Sequence, residues 1–289
     1  MRRRLGPPAL GLLYIAVVAA LGGLRQDHVL VGLLGLLDLY NEKSRLFLRI
    51  FLPFILTGVV FDGMRYFYWQ GIEGHVRVAE PYLAERAWFG VGGRTLNEVF
   101  LDHHWPIADL LCGLAYLTYV GEYLVLAFFA FFRNRLDVAV LLGRSFFLVN
   151  VMGFVTYFVY PAAPPWYVTQ YGLGPARMDV KPEAAAAHRF DQLLGTHFFD
   201  SMYGRGVDVY GAIPSLHVAY PFIALVVAFA VRELRFARWP AVAFFLLMCF
   251  SAVYLQHHYV IDAVLGVAYA AVALGAVAAW QRRRPVPAA

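Results

Sequence analysis

Eight apolar runs, most of them wide enough to cross a lipid bilayer, limit what this chain can fold into. They are Pro8 to Leu24, His28 to Tyr40, Leu46 to Phe61, Ile107 to Phe132, Arg144 to Tyr160, Pro214 to Val231, Pro240 to Gln256 and His258 to Gln281. About 20 helical residues span the ~30 Å hydrocarbon core, and with no water there to satisfy the backbone, a spanning segment closes its own hydrogen bonds as a helix. The composition agrees, at 61% hydrophobic and only 15% charged over 289 residues, with a mean hydropathy of +0.60, outside the range of soluble domains. The expected fold is therefore all-α, a polytopic membrane helix bundle of about eight transmembrane helices.

Residues 1–289 read as a single membrane domain with no internal repeat. An N-terminal hairpin covers 1–45, its second run short for a full crossing. The third span and an aromatic-rich segment cover 46–106, and core helices with an extramembrane loop at 161–213 fill 107–289. The Pro8 to Leu24 run follows three arginines and has no small-residue cleavage site, so it is read as a retained helix. From Asp62 to Pro106 the apolar runs give way to rings mixed with charges, which suits short amphipathic helices at headgroup depth.

The net charge of +5 does not point to nucleic acid, because the arginines bunch at the ends of apolar runs. Clusters fall at Arg2-Arg3-Arg4, at Lys43 and Arg45, at Arg133, Arg135 and Arg144, at Arg232, Arg235 and Arg238, and at Arg282-Arg283-Arg284. Eight crossings put all five on one side, which the positive-inside rule makes cytoplasmic. Cys112 and Cys249 lie inside apolar runs and offer neither a disulfide framework nor a zinc site. Asp102-His103-His104 invites a metal reading, but adjacent helical residues diverge and no further ligand stands at suitable spacing. No metal and no cofactor is expected.

Chemistry concentrates in Gly211-Ala-Ile-Pro-Ser-Leu-His217 and in Gln256-His257-His258-Tyr259-Val260-Ile261-Asp262. Both histidines open an apolar run, which places both imidazoles at helix mouths. His258 and Asp262 stand i to i+4, one helical turn apart, so a carboxylate there can fix one ring nitrogen and leave the other free to attack. His217 is the natural partner for moving a proton. Taken alone, such residues also suit an interfacial cluster or a proton relay in a transporter.

Pro214-Ser215-Leu216-His217, followed by Ser251, His258 and Asp262, resembles the last two signatures of the type-2 phosphatidic acid phosphatase superfamily, the third of which reads S-R-x5-H-x3-D. The chain is more similar still to the aureobasidin-resistance, or inositol phosphorylceramide synthase, branch. That branch shares Leu in Pro-Ser-Leu-His, a His-His-Tyr before the Asp, and a segment like Tyr160-Pro-Ala-Ala-Pro-Pro-Trp166. The resemblance spans Arg144 to Trp280 and departs from the phosphatases at Ala252, where they carry Arg, and in lacking K-x6-R-P. It implies a six-helix core, His258 as nucleophile, Asp262 as its orienter and His217 as acid and then base.

The missing basic residues favour a donor of one negative charge over a phosphate monoester of nearly two. What the resemblance implies is a membrane phosphotransferase. It would move a headgroup, by analogy phosphoinositol from phosphatidylinositol, to a lipid hydroxyl such as that of ceramide, releasing diacylglycerol. The partners are then a phospholipid donor and a lipid-alcohol acceptor. Arg205, Arg189 and Lys181 are the expected cationic contacts, and Ser215, His257, Tyr259 and Trp166 the further candidates for substrate binding. The alternatives are a lipid or polyprenyl phosphate phosphatase and a non-catalytic lipid transporter or scaffold. Ala- and Arg-rich composition suggests a bacterial inner membrane, with the site on the periplasmic face, or on the lumenal face if the source is eukaryotic.

Overall fold

The structure, a computed structural model, describes residues 6–284; the Arg2-Arg3-Arg4 cluster lies outside them. Helices α1 (Gly6–Ala20) and α2 (Gln26–Leu33) form the expected hairpin, and a 3-10 turn at Leu34–Leu36 separates α2 from the one-turn α3 (Leu37–Tyr40). Asn41 then caps α4 (Glu42–Gly63), its side chain accepting from the Ser44 amide at 2.8 Å. Asp62, at the far end of α4, ties the hairpin down, accepting from Arg25 at 2.8 Å and lying 2.9 Å from His28 Nε2.

The aromatic-rich segment breaks into α5 (Tyr68–Ile72), α6 (Ala79–Phe89) and α7 (Leu96–Asp102), short helices as its mixed composition suggests. Two long helices follow, α8 (Pro106–Phe132) and α9 (Leu136–Val159). The second starts eight residues before the Arg144 expected from the charge pattern. Leu136, Val138, Ala139, Val140 and Leu142 are all buried there, and Arg144 does not end the helix because its guanidinium lies over the Trp280 ring, 4.3 Å from the centroid. The extramembrane loop carries α10 (Pro165–Tyr171), α11 (His188–Leu194) and α12 (Phe198–Tyr203), and the chain ends with α13 (Leu216–Ala230), α14 (Arg238–Tyr254) and α15 (Val260–Arg283).

Helices α4, α8, α9, α13, α14 and α15 pack as a six-helix bundle with α9 and α13 the most enclosed. Among the described residues there is no strand, only isolated bridges. Five helical segments are long and apolar enough to cross a membrane, and α1 and α13, at 15 residues each, are shorter apolar helices. This is a multi-pass membrane protein.

Among the described residues, the basic segments around Arg135, Arg238 and Arg282 meet at one end of the bundle. Arg135 pairs with Glu233 and with Asp137, Gln281 donates to the Asp137 carbonyl at 2.7 Å, and Arg238 donates to the last carbonyls of α13. At the opposite end the two extramembrane segments are sewn together by backbone. Arg77 N–H donates to Pro161 O, Ala163 N–H to Arg77 O, and Ala162 N–H to Tyr210 O, at 2.7–2.9 Å.

A buried ion pair pins this cover to the bundle. Arg189 of α11 donates to Asp109 of α8 at 2.6 Å, its side chain 11% and its partner's 4% exposed. Tyr254 donates to the same carboxylate at 2.8 Å, and the guanidinium lies 4.8 Å from the Tyr254 ring centroid. Removing one member of such a pair strands a buried charge, at about 3–5 kcal/mol, whereas replacing both by apolar residues is close to neutral. Asp109→Ala is therefore expected to lower the thermal unfolding midpoint of the purified protein sharply, with Asp109→Leu/Arg189→Met recovering most of the loss. Equal destabilisation in single and double variants would contradict this account.

Candidate active site

The chemistry-bearing residues meet where α13 and α15 begin. Ser215, at the start of α13, donates its backbone N–H to the Asp262 carbonyl at 3.0 Å. Gly266 makes that approach possible, since a Cβ there would collide with the Ser215 carbonyl. The two helix mouths are thus locked side by side.

His258 does not begin α15. It lies in the tight turn between α14 and α15, where Gln256 has φ +68° and the helix starts only at Val260. What brings His258 and Asp262 together is therefore a cap rather than one turn of helix. The Tyr259 N–H donates to Asp262 Oδ2 at 2.8 Å, closing the first turn of α15. Glu85 of α6 adds a second cap, accepting from the Ile261 N–H at 3.1 Å, and its burial raises its pKa above the usual carboxylate value. Asn97 of α7 clamps the turn from outside, donating to Val253 O and His258 O at 2.9 and 3.0 Å while its own carbonyl accepts from Gln256. Ala252, where the phosphatase motif has Arg, accepts the His258 N–H at 2.9 Å through its backbone, and Ser251 spends its hydroxyl on Leu247 O.

The ring of His258 is oriented chiefly by a carbonyl. Its Nδ1 lies 2.9 Å from Ala212 O, while Asp262 Oδ2 stands 3.6 Å away, an electrostatic neighbour beyond hydrogen-bond range. A carbonyl only accepts, so Nδ1 carries the proton and Nε2 presents its lone pair. That nitrogen lies 3.1 Å from His217 Nδ1, which by the same logic donates to it. Tyr116 and Tyr119 of α8 pack on the His217 ring at centroid distances of 4.5 and 4.7 Å.

Two cavities share this pair. The larger, about 470 Å³, runs from His217 and His258 down between α4, α8 and α9 past Phe61, Val120, Leu124 and Phe154. The smaller, about 100 Å³, lies under the cover segment and is lined by Trp166, Glu183, Tyr203, Asp208, His257 and the histidine pair, among others. No lysine or arginine lines either one.

The structure therefore corrects the expected cationic contacts. Arg189 is committed to Asp109, and Arg205 and Lys181 are exposed and face neither cavity. Tyr259 is buried but lines a different surface pocket with Thr95 and Glu98, and Ser215 is fully enclosed behind the pair. Trp166 and His257 do line the small chamber. His257 stacks on Tyr203 at 4.6 Å, and burial pushes its pKa down to about 3, which keeps it neutral.

Asp102, His103 and His104 disperse, to Arg94, to the Val99 carbonyl and toward Asp109. Among the described residues no three His, Cys, Asp or Glu side chains cluster to hold a metal. Sequence reasoning missed Asp208, Glu85 and Asn97.

Comparison with known proteins places the chain in a family. Residues 82–276 match the model of the PAP2 superfamily. The phosphoinositol dihydroceramide synthase of Bacteroides thetaiotaomicron is 34% identical over 267 residues, covering 89% of this chain and 86% of that protein. The inositol phosphorylceramide synthase catalytic subunit of Schizosaccharomyces pombe is 28% identical over 62% of this chain and 42% of its own length. The corresponding catalytic subunit of Saccharomyces cerevisiae is 29% identical over 60% and 43%. No solved structure gives a significant match. The paired histidines, the capped aspartate behind them and the extent of these matches lead to one conclusion: the chain belongs to the PAP2 superfamily.

Proposed function

We propose that this protein transfers phosphoinositol from phosphatidylinositol to the hydroxyl of a ceramide-type lipid, with release of diacylglycerol. The observation that carries the reading is the His217–His258 pair set between an apolar cavity and a small polar chamber that no lysine or arginine lines. A phosphate monoester of nearly two charges would find no counter-charge there, whereas a diester carries only one. The first turn of α13, where His217 sits, adds the favourable end of a helix dipole. The bacterial and fungal relatives, named as phosphoinositol and inositol phosphorylceramide synthases, point to the same headgroup and acceptor.

The mechanism follows from the tautomers. The anionic phosphodiester enters between the two rings, displacing their mutual hydrogen bond, and favours a second proton on His217. His258 Nε2 attacks phosphorus and the bond to the diacylglycerol oxygen breaks. His217 Nδ1 gives that oxygen its proton, and diacylglycerol departs. The ceramide hydroxyl then attacks the phosphohistidine while His217, now neutral, takes its proton. The phosphorus–nitrogen bond breaks and His258 is restored. The Ala212 carbonyl holds the ring throughout, and Asp262 stabilises the positive charge that develops on it.

Purified protein supplied with phosphatidylinositol, with and without ceramide, tests the reading. Headgroup transfer supports it, release of free phosphate or of inositol phosphate without transfer would make the protein a hydrolase, and no turnover would favour a transporter or scaffold. His258→Ala is expected to lose at least ~10³-fold in kcat, because no other group can form the adduct. Asp262→Asn is expected to lose less, on the order of 10–100-fold, since the Ala212 carbonyl still sets the ring. Substantial transfer by His258→Ala would sink the mechanism. Activity is further expected to survive excess chelator; loss reversed by a divalent ion would bring metal chemistry back.

The active site is proposed to face the periplasm of a bacterial inner membrane. The basic ends of α4, α9, α14 and α15 mark the cytoplasmic side, and the histidine pair lies at the other end. A single cysteine at Gly174, in a background without Cys112 and Cys249, should react with an impermeant thiol reagent in intact cells, and one at Asn134 should not. The opposite labelling pattern would place the chemistry in the cytoplasm.

A further inference from the structure

The small chamber poses an electrostatic puzzle. It adjoins the site where an anionic phosphodiester is proposed to react, yet besides its imidazoles it contributes two carboxyl groups, Asp208 and Glu183, and no lysine or arginine. Asp208 lines both cavities, at the junction between them. It enters from the segment just before Gly211, and its carboxylate packs so closely on Gly211 that a Cβ there would collide with it. Among the described residues it forms no ion pair, and the titratable side chain nearest to it in electrostatic terms is His258. Burial pushes its pKa up to about 6, so at neutral pH it remains an acceptor, though a carboxylate held against its preference. A carboxylate in that position repels a phosphate oxygen and attracts hydroxyl donors.

The other walls have the same character. His257 is 6% exposed, and its buried Nε2 finds no hydrogen-bond partner. The indole of Trp166, 5% exposed, supplies an apolar wall. At the rim Glu183 accepts from Gln170 at 2.7 Å. Acceptors without a counter-cation, next to an aromatic wall, match a neutral ring that carries hydroxyl groups, whose C–H face packs on an indole while its O–H groups seek acceptors. The larger cavity below carries Phe54, Phe61, Val120, Leu124, Phe146 and Phe154 in its walls and suits lipid chains.

We propose that this chamber is the polyol subsite of the donor headgroup, with Asp208 accepting hydrogen bonds from ring hydroxyls and His257 Nε2 offering a second acceptor. The proposal rests on the phosphoinositol reading and assigns the selection of that headgroup to particular residues. Asp208 works in both directions, binding a hydroxylated monoanion and turning away a dianionic phosphate that has no ring. Discrimination by an attractive and a repulsive element together is the usual source of sharp specificity.

The test measures transfer to ceramide by wild type and Asp208→Asn, with phosphatidylinositol as donor and phosphatidate, dianionic and ringless, as competitor. Hydrogen bonds to a charged acceptor are worth about tenfold or more in binding. Asp208→Asn is therefore expected to raise KM for phosphatidylinositol about tenfold with kcat within about twofold, and to lower the inhibition constant for phosphatidate. A merely structural role would instead depress kcat or weaken both ligands together, and either result overturns the proposal, as does an unchanged KM. A second arm leaves the protein intact. Wild type is given phosphatidylinositol analogues that each have one ring hydroxyl replaced by hydrogen, and at least one should cost about tenfold in KM. If none costs more than about twofold, the subsite is wrong even where Asp208→Asn fails to fold. Wild type that transfers nothing from phosphatidylinositol refutes the functional reading and the subsite falls with it, whereas wild-type transfer with an unaltered Asp208→Asn refutes the subsite alone.

Discussion

Everything at the active end of this protein depends on the hydrogen bond from His258 Nδ1 to the Ala212 carbonyl, 2.9 Å long. It fixes the tautomer, and the tautomer decides which nitrogen carries a lone pair and hence which way the proton runs between His258 and His217. Side-chain orienters do this in many catalytic constellations. Here a backbone oxygen does it, and a backbone oxygen is only as well placed as its chain. Ala212 is fixed because its neighbours are threaded through the cover: Ala212 N–H donates to Ala162 O, and Ala162 in turn pairs with Tyr210. The extramembrane segments therefore do more than shield the site from water. They hold one of its working atoms.

The same dependence explains why so much polar structure surrounds a turn of a few residues. His258 stands outside regular helix, and its own turn holds it only through its N–H on the Ala252 carbonyl. Asn97, Glu85 and Asp262 supply from three different helices the caps that the turn cannot supply itself. Each satisfies backbone groups that would otherwise be buried without partners, a cost of about 1–3 kcal/mol apiece. Buried carboxylates at the start of α15 also complement its dipole. Stability and orientation thus come from the same contacts, and a change at Glu85 or Asn97 reaches the chemistry through the position of His258.

The bundle was legible in the sequence because its cause is local. Apolar length forces a helix wherever it occurs, and the long helices follow from it, whereas the six-helix core was implied by the family resemblance and the short helices of 62–106 by their mixed composition. Boundaries shifted where a charge found a partner the sequence does not reveal, as Arg144 did over Trp280. His217, His258 and Asp262 were legible as a group through motif spacing, yet the reason they meet was not. The i to i+4 spacing suggested a helical turn, and the fold uses a cap with an intervening loop instead. Arg189 was misread for a related reason. An arginine near the active segment resembles a phosphate ligand until Asp109, 80 positions earlier in the chain, is seen to occupy it. Asp208 was invisible because an isolated acid in a loop has no period and no motif; only the cavity gives it meaning.

A site for phosphoryl chemistry without a lysine or arginine in its walls is at first sight underpowered, since electrostatic stabilisation is usually the largest catalytic term. The geometry offers a way to do without them. In a low-dielectric setting a single imidazolium interacts far more strongly with a phosphoryl oxygen than it would in water, and in the proposed mechanism the imidazolium is generated by the substrate's own charge. A fixed guanidinium would hold the anion before and after reaction alike, which lowers KM without raising kcat. A proton that arrives with the diester and leaves with diacylglycerol acts only while it is needed. The second half-reaction benefits as well, because a neutral His217 can take a proton from ceramide, which it could not do if it stayed charged. On this view the absence of basic residues separates a transferase that must run two proton transfers in opposite directions from a phosphatase that meets a dianion, and the proposed contacts of ring hydroxyls with Asp208 would supply the binding that an arginine otherwise provides.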